Sequence, residues 1–370
     1  MTAIKKINMA DTRLTEREIG AALEVLKSGS LRQGPKVAAL EKSFADFTGA
    51  RYAVASSSGT SALHLAYLTF LQPGDEVLVP SFTFIATASA VILAGGTPVF
   101  CDIDPETFNL DVADAARKIT PRTKALGPVH LFGNACAVAP LQALAAKHGL
   151  KIVWDAAQAH GTQYAGKDVG ALGDFVCYSF YPTKNLFVGE GGITLTDGEE
   201  AAHLMRLYRS HGEGEKYQHT VIGYNYRMTD VEAAIGLTQM ERLPQMLARR
   251  RDNGARLTDG LAGIDGLTLQ RVEANSQHAY HQYCFLVDKA RLGLDRDALR
   301  ERLQEAGVFT GIHYPLGLHE QPVFRKLYGD LAMPVTEDTR SRIMAIPVHH
   351  GLTAEDVAYV ISTIRTALGR

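Results

Sequence analysis

Short apolar runs alternate with longer segments of helical apolar spacing through the first half of the chain. Thr15-Glu16-Arg17-Glu18 is a capping-box pattern ahead of a helix ending near Gly29, and Gly34-Pro35 opens a second helix that ends at Gly49. Tyr52–Ala55 then predicts a strand, followed by a run of small residues and a helix through Leu71. Further strands are predicted at Glu76–Pro80, Pro98–Ile103, Ala125–Phe132 and Lys151–Ala156. Helices are predicted between them at Phe84–Leu93, Val112–Lys118 and Leu141–His148. Repeated β-α units at this spacing argue for an α/β fold with a mostly parallel sheet covered on both faces. Ligands in such sheets bind at the carboxyl ends of the strands.

Beyond residue 170 the pattern changes. Phe175–Phe180 and Ile193–Thr196 predict strands and Glu199–Ser210 a helix. Thr229 and Glu232 form a second capping box before a long helix running toward Leu257, which Pro244 is expected to kink. Past it come strands at Tyr280–Val287 and Thr310–Tyr314 and helices at Arg296–Ala306 and Ala354–Leu368, an α+β layer. The chain has 370 residues. Single cores stop growing near roughly 250–300 residues, so two domains are expected: residues 1–257, and a smaller C-terminal domain at 258–370 on which the N-terminal segment would also pack.

Composition narrows the class. The chain is 46% hydrophobic and 21% charged with net charge −2, which excludes a disordered chain and supplies no global field for nucleic acid or anionic membrane. Arg249-Arg250-Arg251 reads as a solvated helix face. Cys101, Cys136, Cys177 and Cys284 form no C-x-x-C pair, so a reducing compartment is expected and no metal site. The N-terminal stretch MTAIKKINMADTR lacks an apolar leader core, and no apolar run is long enough to span a membrane. A cytoplasmic location is expected.

Candidate chemistry gathers at strand ends. Lys184 follows the apolar run Phe175–Phe180 and precedes the turn Gly189–Gly192. Burial would lower its pKa and make it a nucleophile, whereas a turn lysine would put its amine in water. The run Ser56-Ser57-Ser58-Gly59-Thr60-Ser61 follows a strand and opens a helix, so it suits a phosphate cradle or a plain N-cap. Asp155 ends the strand Ile152-Val153-Trp154, where a carboxylate needs a partner, either a protonated ring nitrogen or a cap or ion pair. Phe82 and Phe84 could each stack on a flat ligand. Gly161–Asp168 approaches P-loop spacing but has Asp168 at the Ser/Thr position, so a hairpin turn at Gly166 is the better reading. His278, His281, His313, His319, His349 and His350 are irregularly spaced and form no metal-binding helix pair.

Taken together, these stretches resemble the nucleotide-sugar aminotransferases of the DegT/DnrJ/StrS group, pyridoxal phosphate (PLP) enzymes of fold type I, the aspartate aminotransferase fold. The resemblance runs nearly end to end. It covers Ser57–Leu63, Pro80–Thr87, Pro128–Gly133, Asp155–Gly161, Ser179–Lys184, Gly223–Met228, His313-Tyr314-Pro315 and His319–Pro322. It implies a mostly parallel seven-stranded sheet between helices and a smaller α+β domain. It implies Lys184 as the Schiff-base lysine and Asp155 as partner of the ring nitrogen. Gln158 would lie beside the ring hydroxyl, Gly59, Thr60 and Ser179 in the phosphate cup, and Phe84 on the ring, ahead of Phe82. Asn225 would reach the phosphate of a neighbouring subunit, making a homodimer with a shared site. His313, Tyr314, His319 and Arg227 become candidate contacts to the nucleotide sugar.

The function so implied is ping-pong transfer of an amino group from L-glutamate to a nucleoside-diphosphate keto sugar. Gly189-Glu190-Gly191-Gly192 is more similar to members acting at sugar carbon 4, which favours a 4-keto-6-deoxyhexose, while Lys184–Phe187 and His349-His350 depart from the common pattern. Alternatives are a 3-keto sugar or cyclitol/aminoshikimate-type acceptor and, in a different class, a non-catalytic PLP-binding regulator.

Overall fold

The computed structural model describes residues 5–370. The first four residues of the stretch read for a leader lie outside them. In chain order, the main-sheet strands are β1 (Tyr52–Ser56), β2 (Glu76–Pro80), β3 (Thr97–Cys101), β4 (Thr123–Leu126), β5 (Lys151–Asp155), β6 (Phe175–Ser179) and β7 (Gly192–Thr196). They lie side by side in the order β1-β7-β6-β5-β4-β2-β3. Only β7 runs antiparallel to its neighbours; the other pairings are parallel. The expected mostly parallel α/β sheet is therefore present.

Side-chain alternation builds a core on each face of this sheet. Ile152, Trp154, Val176 and Tyr178 point to one face, packed with Leu40 and Phe44. Val153, Phe175 and Cys177 point to the other, packed with Leu63, Leu65 and Val91. A strand buried on both faces must be apolar throughout, and β2 and β6 are buried at every position. A second, antiparallel sheet comprises β8 (Leu267–Leu269), β9 (Tyr283–Val287) and β10 (Ile343–Ile346). Its core takes Leu257 and Leu261 from the long helix Asp230–Leu261, together with Leu299, Val360 and Ile364. Ile7 packs into this core and pairs with Val308.

Two local expectations are met, a capping box and a hairpin. Thr229 and Glu232 form the capping box of the long helix, and Asp230 beside them accepts hydrogen bonds from Gly34 N at 2.9 Å and Val37 N at 3.0 Å. Gln163-Tyr164 pairs with Lys167-Asp168 across a turn with Gly166 at φ +78°, the hairpin preferred over a P-loop. Among the described residues, no helix is long and apolar enough to cross a membrane, and no three metal-ligating side chains gather as an ion site.

Other expectations fail for identifiable reasons. The strand expected over Ala125–Phe132 stops at Leu126. Gly127 lies so close to Tyr67 that a Cβ would meet the phenol oxygen at 2.7 Å, and Pro128 has no N–H for the ladder. Thr310–Tyr314 forms only a single bridge, from Gly311 to Ala345, before turning into the site described below. Arg249-Arg250-Arg251 is not a solvated face. Arg250 is 3% exposed and donates to the carbonyls of Tyr280 at 3.0 Å and His281 at 3.4 Å. Arg249 donates to Leu352 O and Arg251 to Gly161 O. The helix passes under segments distant along the chain on both sides of it, and their carbonyls take up the basic run.

Candidate active site

Segments leaving the carboxyl ends of β1, β2, β5 and β6 converge on one edge of the sheet, where parallel α/β sheets bind ligands. The lysine reaches this edge because β7 reverses direction. An antiparallel neighbour needs only a short return, so Phe180–Gly191 loops over the end of β6 and back. Both sides of the loop are fastened. Phe180 N donates to Gly191 O and Val188 N to Phe180 O. Beyond Lys184, Asn185 Nδ2 donates to Ala279 O at 3.1 Å, and Phe187 N donates to Gln239 Oε1 at 3.0 Å. Leu186 and Phe187 are buried, each contributing about 1.5–3 kcal/mol of apolar burial. The segment after Lys184 that departs from the family pattern is thus a rigid support.

Lys184 and Asp155 lie within each other's electrostatic reach. Part of the lysine side chain is open to solvent, yet burial pushes its amine down to about 8, against the pull of the Asp155 charge. Burial likewise raises Asp155 above the usual carboxylate range. Three interactions oppose that rise: a hydrogen bond from Thr87 Oγ1 at 2.7 Å, one from Ala157 N at 3.1 Å, and the Lys184 charge. The water-reaching turn lysine is thereby displaced by a lysine with a substantial neutral fraction near neutrality.

Helix Gly59–Leu68 begins directly after β1. Ser58 caps it, accepting from Ser61 N at 3.1 Å, so the N-cap reading is realised. It leaves the first-turn N–H groups of Gly59 and Thr60 without intrahelical acceptors. A Cβ on Gly59 would lie 2.7 Å from Ser179 Cβ, and one on Gly192 would lie inside contact with Ser58 O. Glycine at both positions lets backbone, the end of β6 and the helix N-terminus close on one small space. That cradle can hold a phosphate.

The remaining candidates divide. Gln158 is held at both ends of its amide, Phe132 N donating to Oε1 at 2.7 Å and Nε2 donating to Tyr314 Oη at 3.1 Å. Phe84 is 57% exposed with its ring 6.3 Å from that of Tyr314, whereas Phe82 is fully buried. His313 is pushed below its ordinary range by burial and by the Lys184 charge. Arg227 is half-buried and makes no ion pair among the described residues. Asn225 is exposed, on the loop that bridges to Ser210. His319 is not open to a ligand. At 2% exposure, its Nδ1 lies 2.6 Å from Ser81 Oγ and its Nε2 3.2 Å from Glu337 Oε1.

Sequence reasoning passed over three groups here. Thr87 touches the Asp155 carboxylate; its signal was a second threonine, Thr83, four residues earlier in the bend ahead of the helix. His281 and His160 are buried and feel the Lys184 charge, which nothing in their spacing reveals.

A buried lysine and aspartate at the carboxyl edge of this sheet, with a glycine-lined helix N-terminus alongside, define the site of a fold type I PLP-dependent transferase. The chain belongs to the DegT/DnrJ/EryC1/StrS aminotransferase family, matching it over residues 12–365, and is a PLP-dependent aminotransferase. It is similar to S. venezuelae DesV, solved in complex with a ketimine intermediate, at 33% identity with a TM-score of 0.94 and 99% of each chain covered. NtdA from Bacillus subtilis, solved with bound cofactor PMP, is 30% identical with a TM-score of 0.91, covering 100% of this chain and 86% of the other. Helicobacter pylori PseC, an aminotransferase involved in the biosynthesis of pseudoaminic acid, is 26% identical with a TM-score of 0.93, covering 99% of this chain and 100% of that one.

Proposed function

We propose that this enzyme transfers an amino group from L-glutamate to a nucleoside-diphosphate keto sugar, a 4-keto-6-deoxyhexose in the first instance. The observation that carries transamination is the Lys184–Asp155 pair, an amine near neutrality facing a buried carboxylate. The sugar rests on the near full-length likeness to an aminotransferase involved in the biosynthesis of pseudoaminic acid. The choice of carbon 4 rests on the Gly189–Gly192 segment.

Bound PLP supplies an electron sink that lets a donor's amino group be exchanged for a carbonyl. The protein's part follows from its own groups. Gly59, Thr60 and Ser179 would hold its phosphate, Asp155 would meet its ring nitrogen as an anion, and Gln158, fixed by Phe132 and Tyr314, would border its ring hydroxyl. Phe84 is exposed to cover a flat ring, which buried Phe82 cannot do. Lys184 would anchor the cofactor, and its free amine would serve as the base that takes up the donor's proton, a contribution of about 10²–10⁴-fold. His313, Tyr314 and Arg227 are the acceptor contacts we favour. His319, engaged at both ring nitrogens, positions its neighbours instead. Asn225 belongs to the second subunit's site, so the working unit is a homodimer. All four cysteines are buried and unpaired, in keeping with a cytosolic enzyme.

The test is direct. L-glutamate added to the holoenzyme should convert the visible absorbance of the lysine-bound cofactor to that of the amine form, and a nucleoside-diphosphate 4-keto-6-deoxyhexose should reverse it with formation of an amino sugar. An unchanged spectrum with glutamate would eliminate the donor. Turnover confined to 3-keto sugars or cyclitols would eliminate the acceptor.

A further inference from the structure

Asp155 raises a problem that the family roles leave open. A carboxylate this deeply buried tends to take up a proton, and a protonated Asp155 could not hold a protonated ring nitrogen. We propose that Thr87, backed by Thr83, is the positioning residue that keeps the Asp155 carboxylate ionised and aimed across the site. The inference rests on Asp155 being the ring-nitrogen partner.

The geometry comes first. Thr87 lies in the first turn of helix Ala86–Leu93, which follows the carboxyl end of β2, and β4 alone separates β2 from β5 in the sheet. Its Oγ1 donates to Asp155 Oδ2 at 2.7 Å and lies 3.2 Å from Thr83 Oγ1. A hydroxyl has one proton. Since Thr87 gives its proton to the carboxylate, Thr83 must be the donor in the second bond. The chain therefore runs Thr83 to Thr87 to Asp155, all three buried, and each donor polarises the next. Ala157 N takes up Oδ1 from the opposite side. Two of the carboxylate's roughly four acceptor positions are thus filled by the protein, which fixes its plane and leaves the outward ones for a ring N–H and for Lys184.

The groups facing Asp155 from the surrounding elements are Lys184 after β6, Cys177 on β6, Tyr67 on helix Gly59–Leu68, Cys136 and Tyr314. Burial holds the two thiols and two phenols neutral, so Lys184 is the only charge among them. It carries that charge only part of the time, its amine lying at about 8. Thr87 supplies, with Ala157 N, stabilisation of the anion that does not depend on the protonation of Lys184, and of the two it is the side chain that a substitution can remove.

Thr87→Val removes the hydroxyl at nearly constant shape; Thr87→Ser returns it. In the Thr87→Val holoenzyme, the acid limb of the activity–pH profile should move up by about one unit, because losing a hydrogen bond to the charged form raises the Asp155 pKa. The cofactor should also leave about tenfold faster on dilution. Trp154, the single tryptophan and the residue before Asp155, reports that loss as recovery of its fluorescence. Thr87→Ser should recover most of both properties. An unmoved acid limb and unchanged cofactor retention in folded Thr87→Val would overturn the proposal, as would a serine variant no better than the valine. Should Thr87→Val not fold, Thr83→Val carries the test with a smaller shift of the same sign, and an unmoved profile there overturns it. Asp155→Asn separates the two claims. Full activity in that variant sinks the role of Asp155 itself, whereas an impaired Asp155→Asn beside a normal Thr87→Val sinks only the threonine relay.

Discussion

An amine at the end of a buried strand gives up its proton more readily than one in water, and at Lys184 this decides reactivity. With its amine at about 8, roughly one molecule in ten carries the neutral form at pH 7 and about nine in ten at pH 9. Only the neutral amine attacks a carbonyl. The rate at which stripped protein recaptures PLP should therefore rise through pH 8 and level off above pH 9, followed by visible absorbance. A rise continuing to pH 10–11 would mean an unperturbed lysine. Lys184→Ala should lower turnover by about 10²–10⁴-fold or more, since one side chain provides both anchor and proton carrier. At this scale the sequence was informative about identity and mute about environment. Lys184 and Asp155 stand at strand ends that anyone can mark, but their charge states depend on the roof formed by residues 279–281 and 313–314, far away along the chain.

The elements that place these residues were legible to different degrees. Strands β2, β5 and β6 have apolar centres and the capping boxes at Thr15 and Thr229 are local patterns, so the sequence marks them well. Thr310–Tyr314 has the same apolar character but finds only one bridge, because the neighbouring edge of β10 offers Ala345 and no more. Arg249–Arg251 was misread for a related reason: a basic run is solvated unless another segment brings carbonyls to it. Arg250 now joins the long helix to the turn at Tyr280-His281, and burial presses its guanidinium down to about 10. Arg250→Met keeps the stem and strands two buried carbonyls, so it should destabilise the protein by about 1–3 kcal/mol. The check is the thermal unfolding midpoint. An unchanged midpoint would show that water satisfies those carbonyls as well as arginine does.

At the scale of the whole molecule, the exposed loop at Asn225 and the strongly exposed Tyr217 and Ile222 lie on one stretch of chain. If Asn225 completes the partner's phosphate cup, Lys184→Ala and Asn225→Ala should each be inactive or weak alone yet complement each other. In a mixed dimer one site inherits both defects and the other neither, so about a quarter of all sites in a statistical mixture are intact. Co-expressed, separately tagged chains measured for turnover per purified mixed dimer provide the test. No gain over the single variants would place Asn225 in its own subunit's site or outside any site.

By itself the sequence determined the alternation of strands and helices and the sheet class, and its motifs carried the resemblance to the family and to the lysine, aspartate and glycines proposed for its chemistry. The elements follow from local periodicity and the candidates from residue types at strand ends, which are properties of neighbouring positions. The tertiary structure alone decided that Lys184 is partly deprotonated, that Phe84 and not Phe82 is open, that His319 is engaged, and that Thr87 supports Asp155. Burial, hydrogen-bond partners and electric fields are set by segments distant in sequence, and no periodicity along one chain records which distant segment will cover which.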